Sequence, residues 1–200
     1  MKEYTIVPKP ETLDWTKIPS LDINTPLFEG EEVFISAKGQ ICYDENALYV
    51  RLSCDEEEIR AEEKNPLGEV CADSCMEFFF CPIEGDKRYF NIECNLTGAI
   101  FLGMGENVQT LVRFIPEVPA ILPQGKKLEK GWEVTYTIPY SFIRQFFPEF
   151  KAEKGLSIRA NCYKCGDKTS RPHYFTWNPV PVLPEASYHN PDKFGIMYFG

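Results

Sequence analysis

Two glutamates, Glu77 and Glu93, are the residues of this 200-residue chain whose type and spacing most directly suggest chemistry. Each lies in a segment where apolar and polar residues alternate, which is the period of a β-strand with one face toward a core. The segments SCMEFFFCP and RYFNIECN are separated by a short turn around Gly85, so we predict that they pair and present both carboxyl groups on one sheet face. Two carboxyl groups about 5 to 9 Å apart are what glycoside hydrolysis uses.

The predicted outward faces carry further polar groups. Asn91 alternates with Glu93, and Arg159 and Asn161 lie on the polar side of LSIRANCYK. Sugar hydroxyls both donate and accept hydrogen bonds, which carboxylates, amides and guanidinium groups can match, while aromatic rings stack on the apolar face of a sugar ring. Three interpretations fit: a non-catalytic sugar-binding face, a glycoside hydrolase that uses Glu77 and Glu93, and an ordinary solvated outer sheet face.

Alternation recurs along the whole chain with turns between the segments, which predicts an all-β, antiparallel, jelly-roll-like sandwich. The predicted strands are residues 33–43, 47–54, 74–82, 88–95, 98–103, 131–139, 156–164 and 194–200. One short helix is expected in YSFIRQFFPEF, where Phe142, Ile143, Phe146 and Phe147 have helical spacing and Pro148 ends the element. No linker divides the chain, so residues 1–200 are expected to form a single domain.

A proline-rich stretch, residues 171–191, is predicted to be a long ordered loop over the sandwich. It contains Trp177 and Tyr188, and both histidines of the chain, His173 and His189. Long loops with embedded aromatic side chains often carry function.

The amino-acid composition narrows the classes of binding partner to expect. The net charge of −9, without a dense basic run, disfavours nucleic acid and anionic membranes and leaves a neutral ligand as the better expectation. The chain as given starts with no secretory leader, so we expect a cytoplasmic location, or a secreted one if the natural chain begins earlier.

Metal and cofactor sites are weaker expectations. Cys71 and Cys75, with Cys162 and Cys165, could form a four-thiolate zinc site, but Cys162 is expected in mid-strand, so free thiols and no metal ligand are favoured. The acidic run 55–58 could bind calcium, although such a run is more often a solvated turn. Haem would need axial His or Met ligands on a sheet face, where no histidine is expected.

Several motifs, in order over about residues 30–199, resemble the family 9 carbohydrate-binding modules, and more closely their stand-alone branch. They are YDENALYVRLSCDE, ADSCMEFFF, YFNIECN, WEVTYTIPYSFI, IRANCYKCG, FTWNPV and SYHNPDKFGIMYF. The resemblance implies a β-sandwich, a structural calcium ion in some members, and non-catalytic binding of glucans, xylans or small sugars between two aromatic rings. A glycoside-active enzyme is a possible partner.

The resemblance also implies roles for individual residues. Glu77 matches the sugar-binding glutamate of the D-S-x-x-E motif, and Tyr188 lies where other members have one stacking tryptophan. The second stacking aromatic is expected shortly before Asp73, where this chain has none. Trp177 is either the substitute or a core tryptophan that anchors the loop. Asn91, Glu93, Arg159 and Asn161 complete the predicted carbohydrate-binding set.

Overall fold

The computed structural model describes residues 1–28, 30, 32–65, 68–181 and 187–200. Within these residues the chain forms fourteen strands and one α-helix. The strands are β1 (Glu3–Pro8), β2 (Ser20–Ile23), β3 (Thr25–Pro26), β4 (Ala37–Tyr43), β5 (Ala47–Cys54), β6 (Cys75–Cys81), β7 (Tyr89–Asn95), β8 (Ile100–Gly105), β9 (Val112–Arg113), β10 (Gln124–Lys127), β11 (Trp132–Pro139), β12 (Ser157–Cys165), β13 (Tyr174–Thr176) and β14 (Gly195–Phe199). The helix α1 spans Tyr140–Phe146, as the spacing of its apolar residues predicts.

The strands form two sheets of a sandwich, so the predicted all-β fold is confirmed. The front sheet has the order β14-β12-β6-β7-β8-β9, and the back sheet has the order β10-β11-β5-β4. Strand β1, which the sequence analysis did not predict, joins them by pairing in parallel with β14 through residues 3–6 and with β4 through residues 7–8. The sandwich is therefore antiparallel except at this one strand.

The main core lies between the sheets and follows the predicted alternation. Strand β5 contributes Leu48, Val50 and Leu52, and β6 contributes Phe78 and Phe80, all of them inaccessible to solvent. Both strands run in antiparallel register with their neighbours, so every second side chain enters the same core. No helix in the described ranges is long and apolar enough to cross a membrane.

The opposite face of the front sheet departs from the prediction of an open polar face, because it is covered. Every residue of β6 and β7 is buried, including those that point away from the main core. A second apolar cluster lies there, with Phe79, Tyr89 and Tyr163 on the strands and Leu27, Val70 and Phe194 from covering segments. The polar residues of this face are thus held under a cover of loops, and only a pocket remains.

The predicted loop over residues 171–191 is partly regular. Strand β13 pairs with the last three residues of β12, and β3 pairs with β13 at the sheet edge. Residues 182–186 of the predicted loop lie outside the described residues. The part that follows them brings Tyr188 and His189 over the front sheet.

Candidate functional site

A pocket of about 350 Å³ remains on the covered face of the front sheet, where the loops do not close completely. Its floor is formed by Glu77 of β6, Glu93 of β7 and Cys165 of β12. Phe28, Tyr174 and Tyr188 supply aromatic side chains to its walls. A concave site of this size with a few convergent polar groups is the usual form of a small-molecule site.

Sheet register places the two glutamates side by side. Glu77 is directly opposite Glu93 in the antiparallel pair β6–β7, and Tyr163 is opposite Glu77 on the other side in β12. Side chains paired in this way have Cβ atoms about 4.5–5.5 Å apart. The predicted juxtaposition of Glu77 and Glu93 on one face is therefore present in the structure, although the face is buried rather than exposed.

Burial and mutual repulsion disfavour the charged forms of these two acids. Burial, followed by the neighbouring Glu93, raises the pKa of Glu77 well above its ordinary value. Burial raises the pKa of Glu93 to about 7, while the hydrogen bond from Asn91 and the charge of Arg113 act in the opposite direction. Two like charges at this spacing cannot easily coexist in a buried site, so the pair retains a proton near neutral pH.

Unsatisfied polar atoms are concentrated beside Glu93. Asn91 Nδ2 donates to Glu93 Oε1 at 3.0 Å, but Asn91 Oδ1 and Glu93 Oε2 have no hydrogen-bond partner among the described residues. Arg113 Nε and Nη2 are also buried without a partner there. Only two other buried side-chain atoms of the described residues, Tyr136 Oη and Tyr140 Oη, share this condition. Buried polar atoms are nearly always paired in proteins, so this group of four atoms requires an explanation.

The position of Arg113 follows from register. Arg113 of β9 is opposite Gly103 of β8, which is in turn opposite Asn91. A Cβ atom on Gly103 would lie 2.8 Å from the ring of Phe101, so the absent side chain allows that ring to lie over the glycine. The Arg113 guanidinium carbon lies 4.3 Å from the centre of the Phe101 ring, and Phe101 is the direct strand partner of Glu93. The guanidinium group is thus held toward the acidic floor, while two of its nitrogen atoms have no partner in the part of the chain that the structure describes.

The walls are held by aromatic contacts. The Tyr188 ring stacks on Tyr163 with a centroid distance of 4.0 Å, and Tyr163 Oη donates to the Tyr188 carbonyl at 3.0 Å. Phe28 contacts the ring of Tyr174 edge to face and is 44% exposed, which makes it the most accessible ring of the wall. Burial lowers the pKa of His189 to about 4, so this imidazole is neutral, and its Nδ1 shares a hydrogen bond with Tyr89 Oη at 2.7 Å.

Asp73 of the D-S-x-x-E motif supports the edge of the site. Its side chain is fully buried, and Oδ2 accepts from the backbone N–H groups of Glu62 and Glu63 and from Asn95 Nδ2 at 2.8–2.9 Å. Arg60 donates to the other carboxylate oxygen. The first half of the motif therefore fixes the loop beside the pocket, and the second half supplies Glu77 to the floor.

The structure brings some of the predicted site residues together and separates others. Glu77, Glu93 and Tyr188 line the pocket, and Asn91 lies against Glu93. Asn161 is fully buried and bonds the backbone of Asn178 with both ends of its amide, so it holds the chain after β13. Arg159 is opposite Cys81 at the other end of β6 and donates to the Asp192 carbonyl, so it does not line the pocket.

Of the two interpretations of Trp177, the structure has the tryptophan in the core. Its ring is 3% exposed, belongs to the main core between the sheets, and packs against Gly195, where a Cβ atom would meet it at 2.5 Å. Its backbone N–H donates to the Cys162 carbonyl. The continued strand pairing of β12 and β13 turns the ring inward, so it lies away from the pocket and cannot stack on a ligand there.

The structure separates the four cysteines that were considered for a zinc site. Cys162 faces the main core, on the opposite side of β12 from Cys165, so the four thiols Cys71, Cys75, Cys162 and Cys165 do not converge. In the acidic run, Asp55 accepts from the Ser36 N–H and Glu56 lies 3.2 Å from the Lys164 ammonium group. Glu58 accepts from Ser170 Oγ at 2.5 Å, so three carboxylates of the run 55–58 contact protein groups, and calcium binding there stays a prediction.

Sequence reasoning missed Arg113, Phe28 and His189 as residues around the acidic floor. Arg113 lies in a two-residue strand, and Phe28 follows another two-residue strand, so neither stood in a readable alternating segment. His189 was noted only as a loop residue. The polar stretch SYHNPDKFG that contains it was the one available signal.

Comparison with known proteins identifies the family of this chain. The sequence profile of carbohydrate-binding family 9 matches residues 8–199. The chain belongs to carbohydrate-binding family 9. No curated protein sequence matches it.

Solved structures share the family 9 fold. A protein from Bacteroides uniformis, provisionally assigned as carbohydrate-binding, is 24% identical, with a TM-score of 0.84 over 100% of this chain and 99% of its own. A family 9 module from Caldicellulosiruptor kristjanssonii in complex with glucose is 14% identical, with a TM-score of 0.69 over 100% and 96% of the two chains. A family 9 module from the same organism in complex with cellotriose is 15% identical, with a TM-score of 0.66 over 99% and 93%. At these identities the likeness concerns the fold.

Proposed function

We propose that this chain binds a neutral carbohydrate, without catalysis, in the pocket above Glu77 and Glu93. Family membership supports the class of ligand, and the structural neighbours from Caldicellulosiruptor kristjanssonii bind glucose and cellotriose. The observation that carries the proposal is the set of four unpartnered polar atoms on Asn91, Glu93 and Arg113 beside the pocket floor.

Those four atoms match the hydrogen-bonding needs of adjacent sugar hydroxyl groups. Asn91 Oδ1 and Glu93 Oε2 accept, whereas Arg113 Nε and Nη2 donate. A hydroxyl group both donates and accepts, so two neighbouring hydroxyls can satisfy an acceptor and a donor each. A bound sugar would therefore remove the cost of leaving these atoms buried and unpaired, which is about 1–3 kcal/mol for each group.

The aromatic wall supplies the apolar half of the recognition. Phe28 is exposed at the pocket, and Tyr188 is fixed in orientation by its contact with Tyr163. The C–H face of a sugar ring can pack on either ring. We assign the role predicted for Trp177 to Phe28, since Phe28 is an accessible ring in the pocket wall and Trp177 lies in the core.

Hydrolysis by Glu77 and Glu93 has less support. A retaining or inverting glycosidase needs one carboxylate that is ionised as nucleophile or base. Here burial raises the pKa of both acids, and the pair is directly opposed on adjacent strands with no ionised partner within ion-pair distance among the described residues. A pair that shares one proton is also what a glycosidase uses, so membership of a carbohydrate-binding family, and not the protonation of the pair, favours binding over hydrolysis.

Isothermal titration with a panel of monosaccharides and neutral oligosaccharides, including glucose and cellotriose, tests the proposal. We expect binding by at least one sugar, a loss of about tenfold in affinity for Glu93→Gln, and a comparable loss for Phe28→Ala. Tyr198→Ala is the matched control, because Tyr198 is an exposed ring on β14 that does not line the pocket.

Two results would contradict the proposed function. One is the absence of heat for every sugar at millimolar concentration with a folded protein. The other is turnover of an aryl glycoside by the wild type that Glu93→Gln or Glu77→Gln abolishes, which would indicate an enzyme instead of a binding module.

A further inference from the structure

Two thiols and a carboxyl group converge at the floor of the pocket, in an arrangement that sugar binding does not need. Cys75 of β6 is directly opposite Cys165 of β12, so the two side chains are cross-strand neighbours on the covered face. Cys165 Sγ lies 2.9 Å from Glu77 Oε1. One ligand atom from each of Cys75, Glu77 and Cys165 lies within 4.8 Å of the other two.

These separations are close to those of a metal centre. In a tetrahedral zinc site with Zn–S bonds of about 2.3 Å, two thiolate sulfur atoms lie about 3.8 Å apart. Atoms up to 4.8 Å apart would therefore have to approach by about 1 Å or less, and Cys165 Sγ and Glu77 Oε1, now 2.9 Å apart, would have to separate by less than that. They project from two neighbouring strands near the centre of the front sheet, which holds their relative positions.

Charge in the pocket favours a cation. The wall and floor carry the carboxyl groups of Glu77, Glu93 and Asp167 and the thiols of Cys71 and Cys165. The positive charges that act on the two glutamates, Arg113 on Glu93 and Lys164 on Glu77, lie outside the described lining residues and are outnumbered by these acidic groups. The directly opposed Glu77 and Glu93 form a like-charge pair whenever both are ionised. A divalent cation on Glu77 would offset that repulsion, as protons otherwise must.

Access and an open coordination position are also present. Glu77 and Cys165 belong to the pocket wall, so an ion can enter from the pocket, whereas Cys75 lies behind them and is fully buried. Three protein ligands with a fourth position open to a cavity is the arrangement of zinc sites that bind an exchangeable water or ligand. Thiolates with one oxygen ligand suit zinc better than calcium or magnesium.

We propose that Cys75, Cys165 and Glu77 form a binding site for a thiophilic divalent cation of the zinc class, with its fourth position open to the pocket. The site differs from the four-thiolate set that sequence spacing suggests, because Glu77 replaces Cys162 and Cys71 remains in the wall. It shares Glu77 with the proposed carbohydrate site but does not depend on sugar binding.

Cobalt provides the test, since Co²⁺ occupies zinc sites and reports thiolate ligation by colour. The full chain, reduced and freed of metal, is titrated with Co²⁺ in the absence of oxygen. We expect a sulfur-to-cobalt charge-transfer band that saturates at one equivalent, visible bands of tetrahedral intensity, and their disappearance on addition of Zn²⁺.

Variants assign the signal to its ligands. Cys75→Ala and Cys165→Ala should each abolish the tetrahedral spectrum, and Glu77→Gln should weaken Co²⁺ binding by about tenfold or more. Cys81→Ala is the matched control: Cys81 lies on the same strand and face as Cys75, is equally buried, and is six residues from it. It should retain the full signal, and near-UV circular dichroism checks that each variant is folded.

Several results would overturn the proposal. They are the absence of a charge-transfer band at millimolar Co²⁺, a band that survives in folded Cys75→Ala, or equal loss in Cys81→Ala. The outcome is separable from that of the sugar proposal, because Cys75 does not line the pocket. Folded Cys75→Ala should lose the metal signal and keep sugar affinity within about twofold of the wild type, a change of less than about 0.5 kcal/mol.

Discussion

Removing the Arg113 guanidinium group should separate binding from stability. The substitution Arg113→Met keeps an unbranched stem over the Phe101 ring and deletes the nitrogen atoms. In the free protein the guanidinium makes one hydrogen bond, from Nη1 to the Gly68 carbonyl, and stacks on Phe101, while Nε and Nη2 have no partner among the described residues. Little stabilisation is thus lost when the group is removed.

The expected changes in stability and in sugar affinity follow from these contacts of Arg113. The lost hydrogen bond and ring contact are each about 1 kcal/mol, and release of a poorly solvated cation acts in the opposite direction, so stability should change by about 1 kcal/mol or less. Each hydrogen bond from a charged donor to a ligand is about 1.5–3 kcal/mol, which corresponds to a rise in Kd of about 10- to 100-fold for a bound sugar. The substitution should therefore weaken sugar binding with little change in unfolding.

The assay pairs calorimetric titration of the tightest sugar of the panel with urea denaturation of the free protein. Arg88→Met is the control, because the Arg88 guanidinium also lies over a phenylalanine ring, at 4.7 Å from Phe147, but bonds to Asp86 away from the pocket. Sugar affinity of Arg113→Met within twofold of the wild type would refute the reasoning. So would a fall in stability of more than about 3 kcal/mol, which would indicate a structural role.

Two further predictions concern stability. Lys164 is fully buried, and its ammonium group donates to the Cys165 carbonyl and His173 Nε2 and lies 3.2 Å from Glu56. Lys164→Met leaves these groups buried without their partner, so it should lower the free energy of unfolding by about 3–5 kcal/mol, measured by urea denaturation. A loss below about 1 kcal/mol would contradict this. Burial lowers the pKa of His189 from 6.5 to about 4, so between these pH values the unfolded chain binds more protons than the folded chain. The free energy of unfolding should therefore fall as the pH drops through that range, by up to about 3 kcal/mol from this residue. The variant His189→Gln should show a flatter stability profile between pH 6.5 and pH 4, and an unchanged slope would argue against a neutral buried imidazole.

Period-2 alternation explains how much of the molecule was predictable. In an antiparallel strand the face of a side chain depends only on its position parity, so Phe78, Phe80 and Leu52 could be assigned to the core and Glu77 and Glu93 to the opposite face. The turn around Gly85 fixes the register of β6 and β7, which is why the opposed glutamates were predictable as a pair.

What covers the second face could not be predicted in this way. The cover consists of Leu27, Val70, Val180 and Phe194, from segments distant in sequence and short of regular structure. Parity says that Asn91 and Asn161 point away from the core, but not that Asn91 contacts a residue of the pocket floor while Asn161 bonds an ordered backbone segment. Such contacts depend on where long connections pass, and a single sequence carries no local signal for that path.

The same limit explains Trp177 and Phe28. A proline-rich segment predicts irregular structure, yet β13 continues the pairing of β12 and so applies strand parity to Phe175 and Trp177, which both enter the main core. Phe28 follows the two-residue β3 at the edge of that pairing and is left accessible at the pocket. The accessible ring is thus decided by a tertiary contact between the two ends of the chain.

The contrast between two buried polar groups gives a physical reason to look for a ligand at the covered face. The Lys164 ammonium group hydrogen-bonds the Cys165 carbonyl and His173 Nε2 and pairs with Glu56 at 3.2 Å, and Trp132 Nε1 donates to Glu56, so the charges and donors of this network have protein partners. Around Glu93, in the same fold and equally enclosed, two acceptor atoms and two donor atoms are unpaired among the described residues. An apolar residue at such a position would avoid the desolvation penalty that each unpaired atom carries. The protein thus pairs the polar groups around Lys164 internally, whereas the polar groups around Glu93, beside the pocket, are available to bind a ligand.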